Sequence, residues 1–135
     1  MAKTVIVDSG SLVALLRRND QHHQWASAVT EQLATPWRTC DAALSEAFFL
    51  VGRLGRPQLT ELLRRQLVVS TFSFDDERAT TLDLMDKYAD IPMSLADACL
   101  VRMSEMLADP VVITTDSDFR LYRRHSRQTI PCLMP

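Results

Sequence analysis

Cysteine is scarce and scattered in this chain: Cys40, Cys99 and Cys132 form no Cys-x-x-Cys pair and stand near no histidine at zinc-ligand spacing. That argues against a disulfide framework and against a structural zinc site. A free cysteine behaves as a small hydrophobe, and Cys99 within DACLV reads as a core position. Long apolar runs are missing too. None approaches the roughly 20 residues that a membrane span requires. The amino-terminal MAKTVIVDSG is too short in its apolar part and too acidic to resemble a signal peptide, so the expectation is a cytoplasmic protein with no membrane partner. Lysine is nearly absent. Of 15 basic residues only Lys3 and Lys87 are lysines, and the rest are arginines, whose planar fork suits phosphate better than an ammonium point charge does. The formal net charge is −2, so the chain as a whole does not attract nucleic acid. An acidic centre ringed by basic residues would cancel in that sum, and net charge decides nothing here.

The 135 residues are 47% hydrophobic and 24% charged, which suits one domain spanning 1–135 with a real core. TVIVD is a β-branched run ending at Asp8, the pattern of a strand buried on both faces. A helix follows in SGSLVALLRRND. Residues 22–34 predict a second helix, with Trp25, Ala28, Val29 and Leu33 on one side and Pro36 as the break. A short extended piece then leads into a long apolar helix closed by Gly52, Gly55 and Pro57, with a separate helix over 58–66. LVVSTFSF reads as a strand, and 75–88 as an amphipathic helix with Ala79, Leu82 and Met85 on its apolar side. SLADACLVRMSEML is a strong helix, PVVITT a buried strand, DSDFRLYRRH a short helix and QTIPCL a last short strand. Strands alternating with helices predict an α/β fold with a mainly parallel sheet. Sites in such sheets form outside the carboxyl ends of the strands, where Asp8 and Asp116 both fall.

Four acids keep unusual company. Asp8 is the only charge between Lys3 and Arg17, Glu46 the only one between Asp41 and Arg53, and Asp97 the only one between Asp90 and Arg102. Asp116 directly follows VVITT. An ionised carboxylate withdrawn from water costs several kcal/mol unless it is compensated, and clustered carboxylates raise one another's pKa unless a cation sits among them. A divalent metal is the simplest compensation, and hard cations such as magnesium take oxygen ligands. Each acid also has a structural alternative. Asp8 suits a helix N-cap, and Ser94 to Asp97 match a capping box. Asp116 or Asp118 suits a cap on the following helix, and Glu46 suits an ion pair with Arg53 or another arginine.

These signals occur together in an order that resembles the PIN-domain ribonucleases, and more narrowly the VapC-type toxins of bacterial toxin–antitoxin pairs. The matching pieces are VIVDSGSLVALL, DQHHQWA, TCDAALSEAFFLVGRLG, MSLADACLV and VITTDSDF, covering essentially the whole chain. The last two are the most specific. The resemblance implies a three-layer α/β/α sandwich around a mainly parallel sheet of about five strands, with the acids gathered at one end. It places the acidic quartet on Asp8, Glu46, Asp97 and Asp116, with Asp118 as an auxiliary acid and Ser11 and Thr114 as hydroxyls lining the site. Asp8, Asp97 and Asp116 would be direct metal ligands, and Glu46 would bind metal or orient water. The implied activity is hydrolysis of RNA phosphodiester bonds with Mg2+ or Mn2+. The implied partners are RNA, a protein antitoxin and a second copy of the chain.

Arg120, Arg123, Arg124 and Arg127 are spaced i, i+3, i+4 and i+7, so one face of a continuous helix would carry all four beside the acidic turn, as RNA-binding residues or as a solvated basic face. Two other readings compete. A non-catalytic PIN-like module that binds RNA or protein would be expected to lack one of the acids, and none is missing. A phosphoryl-transfer protein with an aspartyl nucleophile needs a second acid after the first strand, which Asp8-Ser9-Gly10 lacks, or a late lysine after a strand, whereas Lys87 falls on a predicted helix.

Overall fold

The computed structural model describes residues 2–135. β1 (Thr4–Val7), β2 (Trp37–Thr39), β3 (Val68–Ser70), β4 (Pro110–Ile113) and β7 (Cys132–Leu133) form a five-stranded sheet in the order β3-β2-β1-β4-β7. Every pairing in it is parallel. β5 (Arg123–Arg124) and β6 (Gln128–Thr129) make a separate antiparallel hairpin. The helices are α1 (Ser9–Leu16), α2 (His23–Glu31), α3 (Asp41–Arg64), α4 (Arg78–Lys87) and α5 (Leu95–Met106).

The period of two in a strand divides the core between the two faces of the sheet. Val5, Val7, Val111 and Ile113 point to one side, where they meet Leu12 and Val13 of α1, Trp25 and Val29 of α2, and Ala47 and Val51 of α3. Ile6 and Val112 point to the other, against Leu84 of α4 and Ala98, Val101 and Met103 of α5. The result is the expected α/β/α sandwich, with a sheet that is parallel throughout. α3 is the exception to strict layering. Its first turn contributes Ala43 to the α4–α5 side and its next turns Ala47 and Val51 to the other, so it crosses the carboxyl ends of the strands. The chain runs outward from β1 to β2 and β3, then returns to place β4 on the opposite side of β1. The order therefore reverses between β1 and β4, the place where open parallel sheets leave a crevice.

Several local expectations change. The long apolar helix does not stop at Gly52, Gly55 and Pro57. It breaks at Gly52 alone, with φ 66° and ψ −166°, and resumes through Gly55 and Pro57 to Arg64. That backbone region is open to glycine and hostile to any Cβ, so Gly52 bends the chain without ending helicity. Gly52→Ala is expected to lose about 1–3 kcal/mol in urea unfolding, although no atom lies within 4 Å of the added methyl group. The strand predicted across LVVSTFSF shrinks to Val68–Ser70. The apolar side of α4 is carried by Thr81 and Leu84, while Ala79 and Leu82 are exposed and only Met85 packs partly inward.

The helix expected to carry four arginines does not form. A single 3-10 turn, Ser117–Arg120, is followed by the β5–β6 hairpin, whose turn places His125 and Ser126 at φ 49° and 69°. Among the described residues no helix is long and apolar enough to cross a membrane.

Candidate functional site

Asp8 follows β1 directly and caps α1, its Oδ1 accepting the Ser11 N–H at 2.8 Å. Its other oxygen accepts the Thr114 hydroxyl. The residue is only 6% exposed, and burial pushes its carboxyl up to about 6. The Thr114 and Ser11 hydrogen bonds oppose that rise, and the charge of Asp116 adds to it. The register of β1 on β4 sets Val7 beside Ile113, so the residues that follow each strand emerge together. Thr114 links the two: its hydroxyl accepts the Asp116 N–H at 2.9 Å while donating to Asp8. Asp116 then caps the 3-10 turn, its Oδ1 accepting the Asp118 N–H at 2.9 Å.

Asp97 arrives from the opposite layer. The capping box read from Ser94 to Asp97 is complete: the Asp97 N–H donates to Ser94 Oγ at 3.0 Å, and the Ser94 N–H donates to Asp97 Oδ2 at 3.1 Å. The buried Tyr122 hydroxyl also donates to Asp97 Oδ2, at 3.4 Å. Burial raises the Asp97 carboxyl above the usual range, and the charges of Asp116 and Glu46 push the same way against the Ser94 hydrogen bonds. Glu46 comes from α3 and is exposed, with its Oε1 accepting the Ser9 hydroxyl at 3.3 Å.

All four acids line one cleft of about 320 Å³ at the carboxyl end of the sheet. Among the described residues no basic side chain shares its wall. Among the described residues none of the four acids is in a salt bridge, so the Glu46–arginine pair does not occur. The caps and the cleft are therefore not alternatives. Asp8, Asp97 and Asp116 each spend oxygen on a helix start and still face common space.

The expected site changes in three ways. Ser11 and Thr114 do not line the cleft. Both are buried behind Asp8, with the Ser11 hydroxyl donating to Ile113 O at 2.9 Å, and the hydroxyls on the wall belong to Ser9, Ser94 and Thr115. Asp118 is likewise off the wall, its N–H serving Asp116. Among the described residues no group of three His, Cys, Asp or Glu side chains stands close enough to form a ready-made metal cage, so Asp8, Asp97 and Asp116 are not preset as three direct ligands. The capping bonds account for this by holding oxygens toward backbone N–H groups. Asp97 Oδ1, Asp116 Oδ2 and Glu46 Oε2 nevertheless keep no hydrogen-bond partner among the described residues.

An oxygen-only donor set with no competing cation fits Mg2+ or Mn2+, and Mg2+ commonly keeps several waters while taking one or two carboxylates directly. The cleft fits such an ion without a preformed cage.

The arginines divide. Arg124 donates twice to Ser104 O, at 3.0 and 2.5 Å, and Arg123 donates to the carbonyls of Arg120 and Tyr122 at 2.7 and 3.1 Å, so both brace the hairpin. Arg120 and Arg127 are exposed.

Sequence reasoning did not single out Tyr122, Ser9, Ser94 or Thr115 as parts of the site. Nor did it find the role of Gly10, where a Cβ would collide with the Thr115 hydroxyl. Only the turn after Asp118 brings Tyr122 back to α5, and nothing in its spacing from Asp97 announces that contact.

A parallel α/β/α sandwich with a carboxylate-lined cleft at its switch point is the class of protein these observations define. The PIN domain family model matches residues 5–124, and the chain belongs to that family. No curated protein matches it significantly in sequence.

Proposed function

We propose that this chain, as a single PIN domain, is a metal-dependent ribonuclease that hydrolyses RNA phosphodiester bonds. The observation that carries this reading is the convergence of Asp8, Glu46, Asp97 and Asp116 on one cleft without a neutralising arginine or lysine. A bound Mg2+ or Mn2+ would supply Lewis-acid activation of the phosphate and of the attacking water. Asp8 and Asp116, coupled through Thr114, would hold the cation at the sheet end, and Asp97 would close the cleft from α5. Glu46, exposed at the mouth, would accept the proton of the attacking water or orient that water. Asp118 would add negative potential from behind the wall. Arg120 and Arg127 would contact the phosphate backbone beyond the cleft, with Arg123 and Arg124 shaping the hairpin that presents them.

Within the family, the order of motifs favours the toxin of a VapC-type toxin–antitoxin pair acting in the cytoplasm. Its partners would then be a protein antitoxin and a second copy of the chain, for which Leu82, Leu95 and Met106, exposed on α4 and α5, offer apolar surface. The lack of a three-ligand cage favours a second reading, a non-catalytic module that binds RNA or protein. One assay separates the two. Purified protein is expected to cleave RNA with Mg2+ or Mn2+ and to stop when chelator is added. Binding without cleavage at any metal concentration would establish the second reading instead.

A further inference from the structure

We infer that the RNA strand leaves the acidic cleft along the groove between α1 and α3, toward Arg18 and Arg53. This rests on the ribonuclease reading above and adds a substrate track to it. Gly10 and Thr115 line both the cleft and a neighbouring depression of about 370 Å³. Arg17 and Leu50 in turn line both that depression and a larger groove of about 770 Å³. The three spaces thus adjoin in a row that begins at the carboxylates.

The charge along this path changes sign. Among the described residues the charged groups on the cleft wall are all acids, whereas those on the far groove are Arg17, Arg18 and Arg53. One carboxylate, Asp20, lines the middle section, where its Oδ1 is already taken by the His22 N–H at 2.8 Å. Arg17 donates to Leu50 O at 3.3 Å and ties α1 to α3. Arg18 and Arg53 are exposed and have no ion-pair or hydrogen-bond partner among the described residues. Two uncommitted guanidinium groups at the end of a track from a phosphodiester-cutting centre suit successive backbone phosphates. Phe49, 85% exposed and one helical turn from Glu46, lines none of the three spaces but offers an aromatic surface beside them on which a base can stack. Adjacency to the acidic cleft and the two unpaired guanidinium groups favour a nucleic-acid strand over an apolar protein segment. The Gly52 break positions the track by redirecting α3 between Leu50 and Arg53.

The test is binding of a 12-nucleotide single-stranded RNA to the Asp8→Asn protein, read by fluorescence anisotropy across a salt series. Arg18→Gln/Arg53→Gln removes two phosphate contacts, which lowers the salt slope by about 1.4 and the affinity at 0.1 M salt by about 25-fold. Arg64→Gln/Arg65→Gln makes the same charge change at the far end of α3 and is expected to shift affinity by less than about twofold, because distant charges are screened. A companion measurement follows hydrolysis of bis(p-nitrophenyl) phosphate, a diester small enough to fill only the cleft. With Asp8 intact, Arg18→Gln/Arg53→Gln should raise KM for the 12-mer by far more than KM for this small diester. If affinity and salt slope are unchanged in the Arg18/Arg53 variant, or fall equally in the Arg64/Arg65 variant, the track is wrong and the groove is left to a protein partner. If the parent protein cuts neither substrate while the binding difference persists, the ribonuclease reading falls and the RNA track stands.

Discussion

Asp8→Asn is expected to slow RNA cleavage by about 10³-fold or more and, at neutral pH, to stabilise the metal-free protein. The first effect follows from its position at the switch point, where its carboxylate shares Thr114 with Asp116. The second follows from linkage. Burial raises the Asp8 carboxyl from 3.8 to about 6 in the folded chain. Below about pH 4 both states hold the proton, and the stabilising difference is complete. As pH rises through 6 the folded state must give the proton up, and stability on the order of 3 kcal/mol is lost. The asparagine carries no charge to bury. It keeps the Ser11 N–H bond through its oxygen but loses the Thr114 bond to its amide side, so a net gain of about 1–2 kcal/mol remains at pH 7. Initial cleavage rates, with urea unfolding in chelator at pH 5 and pH 7, check both halves. Parental cleavage by the variant would remove Asp8 from the site. A parallel pH dependence in the two proteins would show that the buried charge is not what destabilises the parent.

Addition of Mg2+ or Mn2+ to chelator-treated protein is expected to raise its melting temperature by roughly 8–10 °C at a hundredfold excess over Kd. A ligand that binds only the native state adds about 2.7 kcal/mol at that excess, and a chain of this length converts each kcal/mol into a few degrees. The physical source is relief of repulsion: Asp97 feels both Asp116 and Glu46, and Asp8 feels Asp116, with no basic residue on the wall to offset them. Monovalent salt at equal ionic strength should give a much smaller rise, because it screens without coordinating. Asp8→Asn should lose most of the divalent effect. Thermal scans of parent and variant in the two salts measure it.

Much of this was readable before any coordinates. TVIVD and PVVITT, each rich in β-branched residues and ending beside an acid, become the adjacent central strands β1 and β4. Asp8 and Asp116 could be assigned to one end of the sheet because a parallel sheet sends every strand out the same way. Glu46 was legible through its isolation on an apolar helix, although it proves exposed at the mouth of the cleft. For Asp8, Asp97 and Asp116 the sequence posed cap against cleft, yet Asp97 and Asp116 each keep an oxygen beyond the cap, and Asp8, with both oxygens hydrogen-bonded, still lines the cleft.

The misread elements share a cause, which is that spacing does not reveal backbone dihedrals. The interval pattern from Arg120 to Arg127 fits a helix as well as it fits the observed turn and hairpin, and the positive φ at His125 and Ser126 decides. Gly52 signals an interruption, but whether helix resumes depends on packing of Leu59, which is fully buried on the far side of the break. On α4 the buried Thr81 and exposed Leu82 reverse the polarity that an apolar count assigns. Contacts such as Tyr122 on Asp97 depend on how a loop folds back, and no periodicity encodes that.

The most direct measurement is a Mn2+ titration of chelator-stripped protein, followed by loss of the free ion's electron paramagnetic resonance signal. The parent is expected to bind Mn2+ saturably in the micromolar to millimolar range, and Asp8→Asn and Asp116→Asn to bind little over the same range. Binding equal in parent and both variants, or none in the parent, would contradict a cation site built from these acids.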